Sequence, residues 1–154
     1  MTTSKDRFKL IPAVYLVLKQ DNKVLLLRRA NTGYQDGLYG LVSGHLDGNE
    51  VATTAMVREA KEEAGIVIDA NNLHFVHAAH RLSRDEAGQE RIDIFFEATQ
   101  WDGEISNVEP HKCDDLSWFS VDDLPENMIP FVRLVLNDIS NGISYSEYET
   151  EPLE

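Results

Sequence analysis

Residues 44–66 read GHLDGNEVATTAMVREAKEEAGI, and the placing of glycine, arginine and glutamate in this stretch decides how the chain is read. Glu59, Glu62 and Glu63 stand at i, i+3 and i+4, so a helix carries all three carboxylates on one face. Like charges at that spacing repel and weaken an isolated helix. A divalent cation reverses the sign of that effect, because hard oxygen ligands suit magnesium or manganese. The fragment REAKEEAG alone reads as an ordinary solvated helix, with Glu59 and Glu62 beside Arg58 and Lys61. Gly44 and Glu50 at fixed distances before it, and Gly65 after it, overturn that plain reading.

The flanking segments supply the context. Residues 38–43 read as a short strand leading into Gly44. Residues 44–49 turn sharply, with Gly48 for the turn and Asn49 to cap the next element. A helix follows over residues 50–64, with Met56, Val57, Ala60 and Ala64 as its apolar stripe and Gly65 as its stop. Strand, glycine turn and acidic helix are three independent signals for one unit.

The spacing G-x5-E-x7-R-E-x-x-E-E-x-G-aliphatic resembles the signature of the Nudix hydrolases, and every charged and glycine position is filled. Seven specified residues at fixed spacing arise by chance on the order of 10⁻⁸ per starting position. Ala60 stands where the family usually has a larger aliphatic, which touches packing rather than chemistry. The resemblance extends to the apolar strand pair before the motif and to LSWFSVDDLP (residues 116–125) after it, covering residues 8–142.

Length and composition agree. A chain of 154 residues, 42% hydrophobic and 27% charged, suits one globular domain with a real core. A net charge of −13 excludes a broad nucleic-acid surface, which needs a basic face, and first of all serves solubility. It does not exclude a nucleotide, since a bound metal screens phosphate locally. Cys113 is the only cysteine, so no internal disulfide and no thiolate metal cluster can form; a partly buried small residue is expected there. The apolar run of residues 11–18 is too short to span a bilayer and contains Pro12, so no membrane role and a cytoplasmic location are expected.

Residues 10–18 and 23–29 are near-continuous apolar runs joined by Gln20-Asp21-Asn22, so they read as paired strands covered on both faces. Residues 30–40 form a glycine-containing loop. Residues 73–82 and 91–99 read as two more strands, with SRDEAGQE (residues 83–90) as the hairpin loop between them. Residues 116–119 read as a last short strand. A second helix is expected over residues 126–141, starting regularly near Ile129 with Pro130 in its first turn. Its stripe is Phe131, Leu134, Val135 and Ile139. The acidic tail of residues 143–154 lacks periodicity and is expected to be mobile, with two tyrosines free to dock on a neighbour. This order of elements predicts the α/β class, a mixed sheet between helices. The resemblance implies the same α/β/α sandwich.

Pyrophosphate bonds resist attack because their negative oxygens repel a nucleophile, and a cation clamp removes that barrier. The resemblance implies that Glu59 and Glu63 ligate the metal, with Glu62 a direct or water-bridged ligand and the carbonyl of Ser43 another. Mg2+ is the expected cofactor, with Mn2+ able to substitute. Gly44 lets backbone approach the phosphates, and His45 beside it is placed to touch them. Glu50 and Arg58, two helical turns apart, are assigned a bracing role. Glu109 is the candidate accessory carboxylate and general base, against a plain reading as a solvated loop acid. Glu97 is a weaker candidate, and Asp114 and Asp115 read as solvated or capping acids. His74, His77 and His80 would gather on a helix but alternate faces on a strand, so they read as ordinary strand residues.

The family hydrolyses a nucleoside diphosphate linked to another group. A base could stack on Tyr15, Tyr34, Tyr39 or Phe96. The chain carries no extra N-terminal region of the kind nucleotide-sugar enzymes use for dimer contacts. The expectation is therefore a MutT-like enzyme splitting a (deoxy)nucleoside triphosphate into monophosphate and pyrophosphate. ADP-ribose or nucleotide-sugar hydrolysis is the alternative, and a homodimer stays open. A non-catalytic nucleotide-binding module of the same fold would lack some of the glutamates, and a calcium- or magnesium-binding structural protein would spread its ligands beyond one helix.

Overall fold

The strand at the centre of the sheet is β1 (Ile11–Gln20), and its alternation explains the layers. The computed structural model describes residues 6–83 and 89–150. Residues 13–18 are all buried. Val14, Leu16 and Leu18 face one apolar cluster, while Ala13, Tyr15 and Val17 face another. Successive side chains point to opposite faces, so a continuous apolar run is what a doubly covered strand requires.

A tight turn at Asp21 (φ 56°) leads from β1 to β2 (Lys23–Arg29). The expected strand over residues 38–43 is divided into β3 (Tyr39–Gly40), paired with β2, and β4 (Val42–His45), paired antiparallel with β1. Then follow α1 (Ala52–Ala64), a single 3-10 turn at Ala70–Asn72, β5 (His74–Ser83) and β6 (Glu90–Ala98). The remaining elements are β7 (Cys113–Ser120), α2 (Pro130–Ser140) and β8 (Tyr145–Thr150). Strand β6 runs parallel to β1, β5 pairs antiparallel with β6, and β7 pairs antiparallel with β2. The expected hairpin loop between β5 and β6 includes residues 84–88, which lie outside those described.

Helix α1 covers one face of the sheet through Ala55, Met56, Ala60 and Ala64, and α2 covers the other through Phe131, Val132 and Val135. The architecture is the α/β/α sandwich. Ala60 is fully buried, so the small side chain fits a close helix–sheet contact.

Several expectations change. Asn49 does not cap α1: it adopts φ 56° in the turn with Gly48, and extended Val51 precedes the helix with no side-chain cap. Gly65 does end the helix, in left-handed geometry (φ 71°) with its N–H donating to Lys61 O. Leu134 is half exposed, and Val132 takes the place expected for it in the buried stripe. Residues 145–150 of the expected mobile tail form β8, parallel to β5. An open sheet edge offers unpaired backbone donors and acceptors to any compatible segment, and Tyr145 to Glu149 alternate exposed and partly buried as an edge strand should. His77, fully buried, fastens this strand: its Nδ1 donates to the Ile143 carbonyl (2.9 Å) and its Nε2 meets Ser146 Oγ at 2.8 Å.

Candidate active site

The turn between β4 and α1 lays backbone directly on a carboxylate. A Cβ at Gly44 would stand 2.1 Å from the Glu59 carboxyl carbon. Only glycine lets the chain pass so close.

Behind this contact Arg58 gathers the acids of the motif. Its Nη2 donates to Glu50 Oε1 (2.7 Å) and its Nε to Glu50 Oε2 (3.3 Å), a two-pronged grip. Its Nη1 donates to Glu59 Oε1 (2.7 Å) and reaches Glu62 Oε2 at 3.5 Å. Nη2 also donates to the His45 carbonyl (3.2 Å) and lies 3.3 Å from Asp47. The planar fork ties the turn to the helix in a way a lysine cannot copy. Glu50 completes the brace by accepting from the Asp47 N–H (2.8 Å). The Arg58 guanidinium beside Glu50, aided by that N–H, holds the Glu50 carboxyl below its usual range.

The cleft side is electrostatically unbalanced. Burial pushes the Glu63 carboxyl up to about 8, with Glu59 and Glu109 adding repulsion, although the Ser43 N–H donates to it (3.1 Å). Burial also raises Glu59, against the pull of Arg58. A cation between these groups would relieve both effects, and oxygen donors are what a hard divalent ion takes. Among the described residues no three acid, imidazole or thiol groups already form a closed set for an ion.

Ser43, Gly44, His45, Glu59, Glu62, Glu63 and Glu109 all line one cleft of about 710 Å³. Glu109 reaches it from the loop before β7, where its Oε2 lies 3.5 Å from Lys112 Nζ. Burial lowers His45 below the usual imidazole range, and Arg91 and Arg81 add to that. Glu50 and Arg58 lie outside the lining, and Gly65 ends the helix. Glu97 points elsewhere, to Lys19 (3.5 Å). Asp114 pairs with Arg28 (2.6 Å), and Asp115 accepts from Tyr39 Oη and Ser117 Oγ. Of the four candidate stacking rings, Tyr15 and Tyr34 line the cleft, whereas Tyr39 packs on Phe119 and Phe96 joins the core under α1. Cys113 is buried in the lining, its Sγ–H donating to Asp115 O at 3.2 Å.

Sequence reasoning missed the cations and the far wall. Arg29, Arg81, Arg91, Lys112, Ile129, Phe131 and Val132 also line the cleft. Strand register brings Arg29, Arg81 and Arg91 there, the turn before β7 brings Lys112 and α2 with the residue before it brings the apolar wall, and no local motif announces them.

Comparison with known proteins agrees with this geometry. The NUDIX domain family model matches residues 9–138. An ADP-ribose pyrophosphatase from Methanocaldococcus jannaschii is 32% identical over 124 residues, covering 79% of this chain and 70% of that protein. The NAD-capped RNA hydrolase NudC of Pseudomonas entomophila is 28% identical over 117 residues, 76% of this chain, which spans only 39% of that relative. The crystal structure of a MutT NUDIX hydrolase from Burkholderia pseudomallei superposes with a TM-score of 0.77 at 25% identity, covering 84% of this chain and 98% of that one. A glycine turn pressed on a glutamate helix, a cleft lined by four glutamates and a family match across most of the chain lead to one conclusion: this protein belongs to the Nudix family and is a pyrophosphohydrolase of the kind that uses divalent metal ions.

Proposed function

We propose that the protein hydrolyses a (deoxy)nucleoside triphosphate to the monophosphate and pyrophosphate, with Mg2+ as cofactor and Mn2+ able to replace it. The carrying observation is that Arg29 and Lys112 line the same cleft as the four glutamates, in a chain whose net charge is −13. Arg29 is held by donation from its Nε to the Tyr34 carbonyl (2.8 Å), and its charge acts on Glu63. Cations kept at the glutamate end of so acidic a protein suit a substrate ending in free phosphates.

Glu59 and Glu63 would hold the metal, with Glu62 and the Ser43 carbonyl beside them. When bound, the ion neutralises the phosphate oxygens and makes water a better nucleophile. Glu109 is assigned the proton: as water's oxygen forms the new P–O bond and the anhydride P–O bond breaks, its carboxylate accepts the proton released. Gly44 and His45 would contact the phosphates. Glu50, Arg58 and Gly65 keep the turn and helix in place.

ADP-ribose is the second reading, supported by the 32% identity to the archaeal ADP-ribose pyrophosphatase. Magnesium-dependent turnover of triphosphates, ADP-ribose and nucleotide sugars, with products identified, separates the two. Monophosphate plus pyrophosphate supports the proposal. AMP plus ribose phosphate, with triphosphates untouched, refutes it.

A further inference from the structure

Arg29, the last residue of β2, has no carboxylate in ion-pair contact among the described residues, in a chain whose net charge is −13. Arg28, Arg58 and Arg81 pair with Asp114, Glu50 and Asp93. Neutral oxygens hold Arg29 instead. Its Nε donates to the Tyr34 carbonyl (2.8 Å) and its Nη2 to Thr32 Oγ1 (3.3 Å), and its guanidinium carbon lies 5.6 Å from the centre of the Tyr34 ring. Its Nη1 donors have no partner among the described residues, and the side chain lines the cleft of the four glutamates. Neutral acceptors fix the direction of a guanidinium and leave its charge for an anion.

Both acceptors belong to the loop of residues 30–37, and the chain does not take that shape freely. Asn31, Gly33, Gln35 and Gly37 adopt left-handed geometry (φ 55°, 80°, 54° and 82°), which is unfavourable at the two that carry side chains. Asp36 stitches the loop. Its carboxylate accepts from the Thr32 hydroxyl (2.5 Å), the Gly33 N–H (2.9 Å) and the Thr32 N–H (3.1 Å). These bonds, that of the Thr32 hydroxyl first, hold the Asp36 carboxyl below its usual range, so it is ionised at neutral pH. The Thr32 hydroxyl has one hydrogen and two acceptors in reach, the carboxylate and the Tyr34 carbonyl at 2.9 Å; the ionised and nearer one wins. Its oxygen lone pairs are then left to accept from the Tyr34 N–H (3.2 Å) and from Arg29. The carboxylate orients the arginine through this hydroxyl without touching it.

The loop is also pinned at its margins. The Gly37 N–H donates to the Arg29 carbonyl (2.7 Å) and the Arg29 N–H to the Leu38 carbonyl (3.0 Å). The Ala30 N–H and Asn31 Nδ2 donate to the carbonyls of Lys112 (2.9 Å) and His111 (3.1 Å), in the turn before β7. A change at Asp36 therefore falls on Thr32 and Arg29 rather than being absorbed by a swing of the whole loop.

We propose that Asp36 is a positioning residue for phosphate binding, which aims the Arg29 guanidinium into the cleft through the Thr32 hydroxyl. The proposal rests on the reading above, in which Arg29 serves a triphosphate. It is tested by kcat and KM of the full-length protein with magnesium and the triphosphate it turns over fastest, for the wild type, Asp36→Ala, Arg29→Gln and the two changes combined. Asp36→Ala should lower kcat/KM about 10-fold, the size of one hydrogen bond to a charged group, chiefly by raising KM. Once Arg29 is glutamine, the same change should cost less than about 2-fold, because the group it acts through is gone. Equal losses in both backgrounds overturn the proposal and leave Asp36 a purely structural role. Wild-type kcat/KM in Asp36→Ala, with Arg29→Gln impaired, overturns it as well. Should Asp36→Ala fail to fold, Thr32→Val, which lacks the hydroxyl, should show the same loss and Thr32→Ser should restore activity; a fully active Thr32→Val protein refutes the relay. Wild-type kinetics in Arg29→Gln remove the phosphate role of Arg29 and the proposal with it. Absence of turnover on every triphosphate defeats the triphosphate reading instead. Calorimetric binding of magnesium pyrophosphate then still tests Asp36: Asp36→Ala should weaken it about 10-fold, and an unchanged affinity would refute the role of Asp36.

Discussion

Replacing Gly44 by alanine should separate catalysis from stability. The added Cβ would lie 2.1 Å from both the Glu59 carboxyl carbon and Oε1, more than 1 Å inside ordinary contact. The backbone cannot easily yield, because Gly44 sits in β4 opposite Val14 of the central strand. The end of the Glu59 side chain is free to swing, and in doing so it gives up the 2.7 Å hydrogen bond from Arg58. A charge-assisted bond of this kind contributes about 1.5–3 kcal/mol, toward the lower end here because Arg58 is partly solvated. For a chain of this size, that lowers Tm by several degrees, at about 2–4 °C per kcal/mol. Activity should suffer far more, since a displacement of about 1 Å at a catalytic group is worth about 100-fold in rate. Magnesium-dependent hydrolysis at saturating substrate, beside a thermal melt, reads both numbers. A Gly44→Ala protein with wild-type kcat would refute the argument that the turn and the Glu59 carboxylate must share this space.

Other substitutions probe the remaining parts of the site. With its carboxyl raised to about 8, Glu63 favours the folded state while protonated. That stabilisation is full below about 4.5, the ordinary glutamate value, and is lost as pH rises through about 8. Melts of metal-free protein should therefore show this loss between pH 5 and 9, and Glu63→Gln should flatten it; an unchanged pH profile would count against the buried carboxyl. Glu63→Gln should also reduce kcat by about 100-fold or more, and full activity would remove Glu63 from the metal set. Arg58→Lys, which cannot grip Glu50 with two prongs, should destabilise the fold by about 1–2 kcal/mol in a denaturant titration. Truncation after residue 142 removes β8 and the Ser146 and Ile143 partners of His77, so Tm should fall and light scattering should show association through the bared β5 edge. A monomeric truncated protein with unaltered Tm would show that β8 adds nothing.

The parts of the fold legible in the chain are those governed by short-range spacing. Glu59, Glu62 and Glu63 reach one cleft because helical periodicity alone aligns them, and Gly65 ends α1 because left-handed geometry follows from its own lack of a side chain. The doubly covered β1 was equally readable from its unbroken apolar run. Where partners are remote, reading failed. YSEYET (residues 145–150) has no apolar continuity, and it becomes a strand only because the edge of β5 is open and His77 waits there for Ile143 and Ser146. Arg81 looks like any solvated arginine until the sheet places Asp93 and Tyr15 around it and α2 lays Phe131 over it. Asn49 illustrates a local misreading: its side chain could cap a helix, but the turn beside Gly48 places it two residues too early.

The pairing of β1 with β6 bears on how quickly the chain can fold. Its register joins Ile11 to Arg91 and Leu18 to Ala98, so the central strand meets its parallel neighbour only after the loop, α1 and β5 have been crossed. Closing so long a stretch before its contacts form slows the search, and proteins dominated by such remote pairings fold in milliseconds to seconds rather than microseconds. During synthesis, β1, β2 and α1 emerge early and must wait with half of the central strand's hydrogen bonds unmade. The rate-limiting event in refolding should then be the docking of β6, and substitutions at Phe95 or Ile94 should slow folding more than they speed unfolding.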